Sequence, residues 1–154
     1  MAELVSIVYK PEDAPPADGA FTRVPVQEAR LEAGHGIIGD QKGGNVYRQL
    51  NVMGAESVRS LVDSGYKTAP GQLGEQLVIS GFDIEALPEG SRLQIGDSAE
   101  IELLQLREPC NRFESYQGRS LDGAVGKIGW MAAVVSSGSV RIGDGVILVE
   151  PALV

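Results

Sequence analysis

The chain has little of what most metal centres and nucleophilic triads are built from: one cysteine, Cys110, and one histidine, His35. One cysteine excludes an internal disulfide, and one of each excludes a Cys/His zinc cluster. No Gly-x-Ser-x-Gly elbow occurs, so a serine-hydrolase reading would rest on His35 alone. No apolar run approaches the ~20 residues of a membrane helix. The opening segment, MAELVSIVYKPED, lacks the basic-then-apolar pattern of a secretory signal. Together these absences predict a cytoplasmic protein. Basic residues are also scarce: 13 Lys and Arg face 21 Asp and Glu, for a net charge of −8 and a pI near 4.6. That argues against a broad nucleic-acid surface and leaves room only for a local basic pocket.

Glycine is plentiful, at 20 of 154 residues, roughly twice the usual ~7%. Glycine and proline punctuate the chain at short intervals, which favours many short strands over long helices. Length and composition fit one domain spanning residues 1–154.

Residues 4–9 read as a first strand, residues 21–31 as a second, and residues 34–45 as a glycine-rich loop. Residues 48–53 form a short strand or an approach to a helix. Ala55, Val58, Leu61 and Val62 then fall at helical spacing, and Gly65 stops that helix. Further strands are expected at 77–79, 91–95, 99–106, 130–136 and 146–149, with weak helical character at 111–117. In the 99–106 strand Ile101 and Leu103 share a face, whereas Leu104 and Leu106 switch phase, as a bulge would produce. Seven or eight strands and one or two helices, not alternating regularly, predict a mostly β (β-rich α+β) fold. The expected form is a closed, mostly antiparallel, barrel-like sheet.

Gly34-His35-Gly36-Ile37-Ile38-Gly39 matches a dinucleotide fingerprint, but Gly43 and Gly44 follow where a helix should open. Such a loop can still turn backbone N–H groups towards an anion, with Lys42 and Arg48 in support, or it can be a plain turn-rich connection. Asp97 and Asp144 follow glycines ahead of strands and suit turns. The stretch Arg107-Glu108-Pro109-Cys110-Asn111-Arg112 is more suggestive. A free cysteine is often a small buried hydrophobe. Here it follows a strand-ending proline, has arginines on both sides, and stands where a helix begins. The proline puts it at an element end, where sites gather; the arginines and the helix start favour a thiolate, which is both the nucleophile and the soft metal ligand, and a nearby Glu108 would oppose it.

In order and spacing, several segments together resemble a stand-alone MOSC domain, the type found at the C-terminus of molybdenum cofactor sulfurases. They are Gly36-Ile37-Ile38-Gly39-Asp40, Arg48-Gln49-Leu50, and Pro70-Gly71-Gln72-Leu73-Gly74-Glu75-Gln76-Leu77. They continue with Leu93-Gln94-Ile95-Gly96-Asp97, Arg107-Glu108-Pro109-Cys110, and the run from Gly138 to Asp144. The resemblance implies a β-rich barrel-like fold in which Cys110 is the functional cysteine. It implies either a thiolate ligand to molybdenum in the molybdenum cofactor (molybdopterin), or a persulfide received from a pyridoxal-phosphate cysteine desulfurase. Some members reduce N-hydroxylated compounds, which here would need a separate electron-transfer protein. By matching position Asp40, Arg48 and Glu75 would line or brace the site; Lys42 and Arg112 are added as candidates for the cofactor's phosphate. Many members carry histidine after Gly-Asp, whereas this chain has Gln41. Three functions follow: cofactor binding through Cys110, sulfur carriage on Cys110, or a non-catalytic β-barrel binding module.

Overall fold

The computed structural model describes residues 2–12, 23–41, 43–44 and 49–149. Lys42 and Arg48 lie outside the described residues, as do the first two positions of the expected second strand.

Among the described residues the chain forms eleven strands and two α-helices. β1 is Glu3–Tyr9, β2 Val24–Val26, β3 Glu28–Glu32, β4 Gly36–Ile37 and β5 Leu50–Gly54. α1, Ala55–Asp63, leads to β6, Leu77–Ser80, then β7, Arg92–Ile95, and β8, Ala99–Leu106. α2 is Asn111–Gln117, followed by β9, Trp130–Ser136, β10, Gly138–Arg141, and β11, Val146–Val149. The expected second strand is thus two strands broken at Gln27; β4 is a short pairing inside the expected glycine-rich loop, and β10 falls where no strand was expected.

Eight strands make one mixed sheet in the order β11-β7-β8-β9-β5-β6-β1-β2, and β10-β3-β4 make a second. Pairing is antiparallel except between β5 and β6, which α1 joins as a crossover must. The expected closed barrel is not found: neither sheet closes among the described residues. The nearest approach is an isolated bridge from Glu3 to Gly145, just before β11. β1 cannot extend it, because β2 occupies the free edge of Ile7–Tyr9, leaving only the start of the strand for the β11 end.

Period-two alternation explains two cores. In β5, Leu50 and Val52 join the main cluster with Ile7, Leu77, Ile101 and Trp130. Met53 points to the other face and packs with Leu61 of α1, Tyr66, Leu73 and Ile128. The site lies on this second face. The expected bulge in β8 is present: its register against β9 shifts between Leu103 and Gln105.

Candidate functional site

A cleft of about 470 Å³ opens on the α1 side of the large sheet. Its floor includes Asn51, Met131 and Gln105. These three are register partners across β5, β9 and β8, so they form one cross-strand row. The β8 bulge sets the phase that puts Gln105 in this row.

One wall is the turn Gln72-Leu73-Gly74. Glu75, 4% exposed, holds this turn by accepting from the Gly71 N–H at 2.8 Å and the Leu73 N–H at 3.2 Å. Burial pushes the Glu75 carboxyl above its ordinary value; these amides, its own amide and Arg23 pull the other way. Gly71 and Gly74 both have positive φ, 86° and 79°. A Cβ at Gly71 would meet the Arg23 side chain at 2.9 Å, and one at Gly74 would meet the Arg107 guanidinium at 2.7 Å. The G-x-x-G spacing therefore seats two arginines against one turn. Arg107 Nη1 donates to the carbonyls of Leu73 at 3.1 Å and Ile128 at 2.9 Å. Burial lowers the Arg23 pKa, opposed by the charges of Glu75 and then Asp40.

The opposite wall is the segment from Arg107 to Phe113. Cys110 is exposed and is the residue immediately before α2, in extended conformation. Its thiol is lowered below the ordinary value first by the Phe113 amide; modest desolvation opposes this, and the Arg112 amide and the Arg107 and Arg112 charges add to it. The sulfur makes no full capping hydrogen bond, so these amides act as aimed dipoles. Cys110 is thus not the buried hydrophobe that a lone cysteine often is. Lys10, Arg23, Arg107 and Arg112 all line the cleft, against one carboxylate, Glu108. A molecule of net charge −8 lines the cleft that holds its one thiol with four cations.

The other expected site residues fall in different places. Arg112 lines the cleft. Asp40 is 1% exposed and braces from behind: it accepts from the Lys10 N–H and from Gln76 Nε2, both at 2.8 Å. Gln76 passes the constraint on by accepting from the Asn51 N–H at 2.6 Å. His35 packs against Gly43, and Gln41 donates to the Pro11 carbonyl at the surface at 2.9 Å; neither lines the cleft. Sequence reasoning missed Lys10, Arg23, Asn51 and the second role of Arg107. For the arginines the signal was the pair of glycines in Pro70-Gly71-Gln72-Leu73-Gly74; Lys10 and Asn51 carried none.

No three His, Cys, Asp or Glu side chains gather as a metal-holding group among the described residues. A metal at Cys110 would therefore take one protein sulfur and its other ligands from a cofactor.

The MOSC domain profile matches residues 39–147, and the chain belongs to the MOSC domain family, which is linked to molybdenum cofactor binding. The fold is that of the YUAD protein from Bacillus subtilis, at 21% identity and TM-score 0.73, covering 95% of this chain and 94% of that one. YiiM from Geobacillus stearothermophilus is similar at 17% identity and TM-score 0.73, covering 97% of this chain and 76% of that one. YiiM from Escherichia coli is similar at 21% identity and TM-score 0.71, with 97% and 71% covered. No curated protein matches the sequence.

Proposed function

We propose that this protein binds the molybdenum cofactor in the cleft, with Cys110 as the thiolate ligand to the metal. The observation that carries the reading is an exposed, acidified thiol in a concave site walled by four cations. A soft thiolate suits a soft metal centre, and guanidinium groups suit a phosphate. The volume lies within the ordinary range for small-molecule sites, roughly 300–1,000 Å³. Arg23, Arg107, Arg112 and Lys10 would hold the anionic group, while Asp40 and Glu75 act from behind by fixing Lys10 and the 71–75 turn. When bound, the cofactor would supply two-electron redox chemistry such as reduction of an N-hydroxylated compound, with electrons from a separate protein. This chain's own residues bind and orient.

The test is to produce the protein alongside active cofactor synthesis and measure molybdenum per chain. The expected result is metal in the parent and none in Cys110→Ala. A metal-free parent, or equal metal in both, would refute the reading.

The exposure of Cys110 also favours a second reading, a sulfur carrier. The Cys110 thiolate would attack the outer sulfur of a desulfurase persulfide. The sulfur–sulfur bond breaks, the desulfurase cysteine leaves as its thiolate, and no net oxidation occurs. A mass gain of one sulfur at Cys110, after incubation with a cysteine desulfurase and cysteine, tests it.

A further inference from the structure

Asn51 is a buried polar side chain, 5% exposed, on the floor of the cleft. Its backbone is clamped on both sides by one residue. The N–H donates to Gln76 Oε1 at 2.6 Å, and the carbonyl accepts from the Gln76 N–H at 2.8 Å. The side-chain Nδ2 donates to the Gly74 carbonyl at 2.9 Å. A carbonyl can only accept, so this bond also fixes which end of the carboxamide is which. Oδ1 is the end left over, and it receives no hydrogen bond among the described residues.

The acceptors of the neighbouring wall are already taken. The Gln72 carbonyl accepts from Gln117 Nε2 at 3.1 Å, the Leu73 carbonyl from Arg107, and the Gly74 carbonyl from Asn51 itself. Gln72 Oε1 accepts from the Ala69 N–H at 2.8 Å. Gln105 and Glu108 also carry acceptors, but both are exposed, so water serves them. The four cations can only donate. Asn51 Oδ1 is thus a rigid, buried acceptor in a cleft walled by donors. Buried polar atoms are rarely left without a partner. A molecule that fills the cleft cuts Oδ1 off from water, and one that offers no donor in return loses affinity. Met131, Phe113 and Tyr116 line the same space and give a flat ring apolar surface to lie on.

We propose that Asn51 sets the specificity of the cleft: its Oδ1 accepts a hydrogen bond from an N–H of the bound molecule, so the site selects an anionic aromatic compound carrying such a donor over an equally charged one that lacks it. This deepens the cofactor reading, since a pterin ring bears N–H and amino donors, and it rests on the premise that the cleft takes an anionic small molecule.

The experiment uses the cofactor-free full chain and two matched pairs of probes: 3-aminophenyl against 3-methylphenyl phosphate, and 4-aminophenyl against 4-methylphenyl phosphate. Amino and methyl groups are alike in size, and an arylamine is uncharged at pH 7, so each pair differs in the donor alone. Dissociation constants are measured by titration calorimetry for the parent and for Asn51→Leu. The expected result is that the parent binds the amino compound of at least one pair about tenfold or more tightly than its methyl partner. In Asn51→Leu that ratio falls to one or below. A parent that binds neither compound, or both alike in each pair, would overturn the proposal, as would a variant that keeps the preference. A merely structural role would weaken both partners by the same factor and leave the ratio intact. If Asn51→Leu does not fold, Asn51→Ala is measured the same way. Molybdenum content is read separately: preference without metal uptake refutes the cofactor reading alone, and metal uptake without preference refutes this inference alone.

Discussion

Cys110 and Glu75 are shifted in opposite directions by opposite causes. Cys110 stays near water and is acidified by amides and guanidinium groups, the Phe113 amide foremost. Its alkylation rate against pH should therefore turn over at lower pH in the native protein than in the same chain unfolded in urea, as measured by mass spectrometry. The accompanying stability runs the same way: the depressed thiol favours the folded state above the unfolded value, and that contribution is lost as pH falls through the folded value. Glu75 is acidic in the other sense, because burial raises it. Between its unfolded value of about 4.3 and its higher folded value, the folded chain holds the proton that the unfolded chain has lost. Stability then falls with rising pH across that window. In Glu75→Gln this slope should disappear; urea titrations of parent and variant from pH 4 upward read it directly.

At the level of elements, the 71–75 turn and the segment from Arg107 to Tyr116 facing it define the cleft. Gly71→Ala or Gly74→Ala forces a side chain into left-handed backbone, at about 1–2 kcal/mol, and also unseats Arg23 or Arg107. Chemical denaturation should show at least that loss for each. A cross-check lies in the main core, where buried Trp130 Nε1 donates to the Ile84 carbonyl at 2.7 Å. Trp130→Phe removes that bond while the carbonyl keeps the Leu87 N–H at 3.1 Å, and the lost hydrogen bond should cost about 0.5–1.5 kcal/mol by the same method. Much at this scale was legible in sequence. Helical spacing gave α1, period two gave β1, β8 and β9, and the phase switch at Leu104 gave the bulge. The short pairings β4 and β10 were not legible, because two to four residues carry too little periodicity to outweigh their glycines. That Cys110 stands exposed at an element end was legible from Pro109 and the flanking arginines, and Arg112 lines the same cleft. Lys10, Arg23 and Asn51 were not, since each reaches the cleft through a pairing or packing contact far away in sequence. The closed barrel was expected from strand number, from helices that do not alternate with the strands, and from the family resemblance; none of these says that β2 takes the edge of β1.

Across the whole molecule the charge distribution is uneven. The net charge of −8 repels anions at a distance, while the cleft attracts them at close range. Phosphate should protect Cys110 from alkylation at low ionic strength, and the protection should fade as salt shortens the screening length from ~10 Å at 0.1 M to ~3 Å at 1 M. No helix is long and apolar enough to cross a membrane among the described residues. The segment 107–117 has a further meaning for how the chain comes to be folded. Arg107 bonds the Leu73 carbonyl 34 positions back, and Gln117 bonds the Gln72 carbonyl 45 positions back. Closing such long loops is slow compared with winding a single turn. The reactive sulfur is therefore an event of late folding: during refolding the thiol should behave as an ordinary cysteine until these distant segments meet. A pulse of alkylating reagent, applied at intervals after dilution from urea, would then use Cys110 as the chain's own clock.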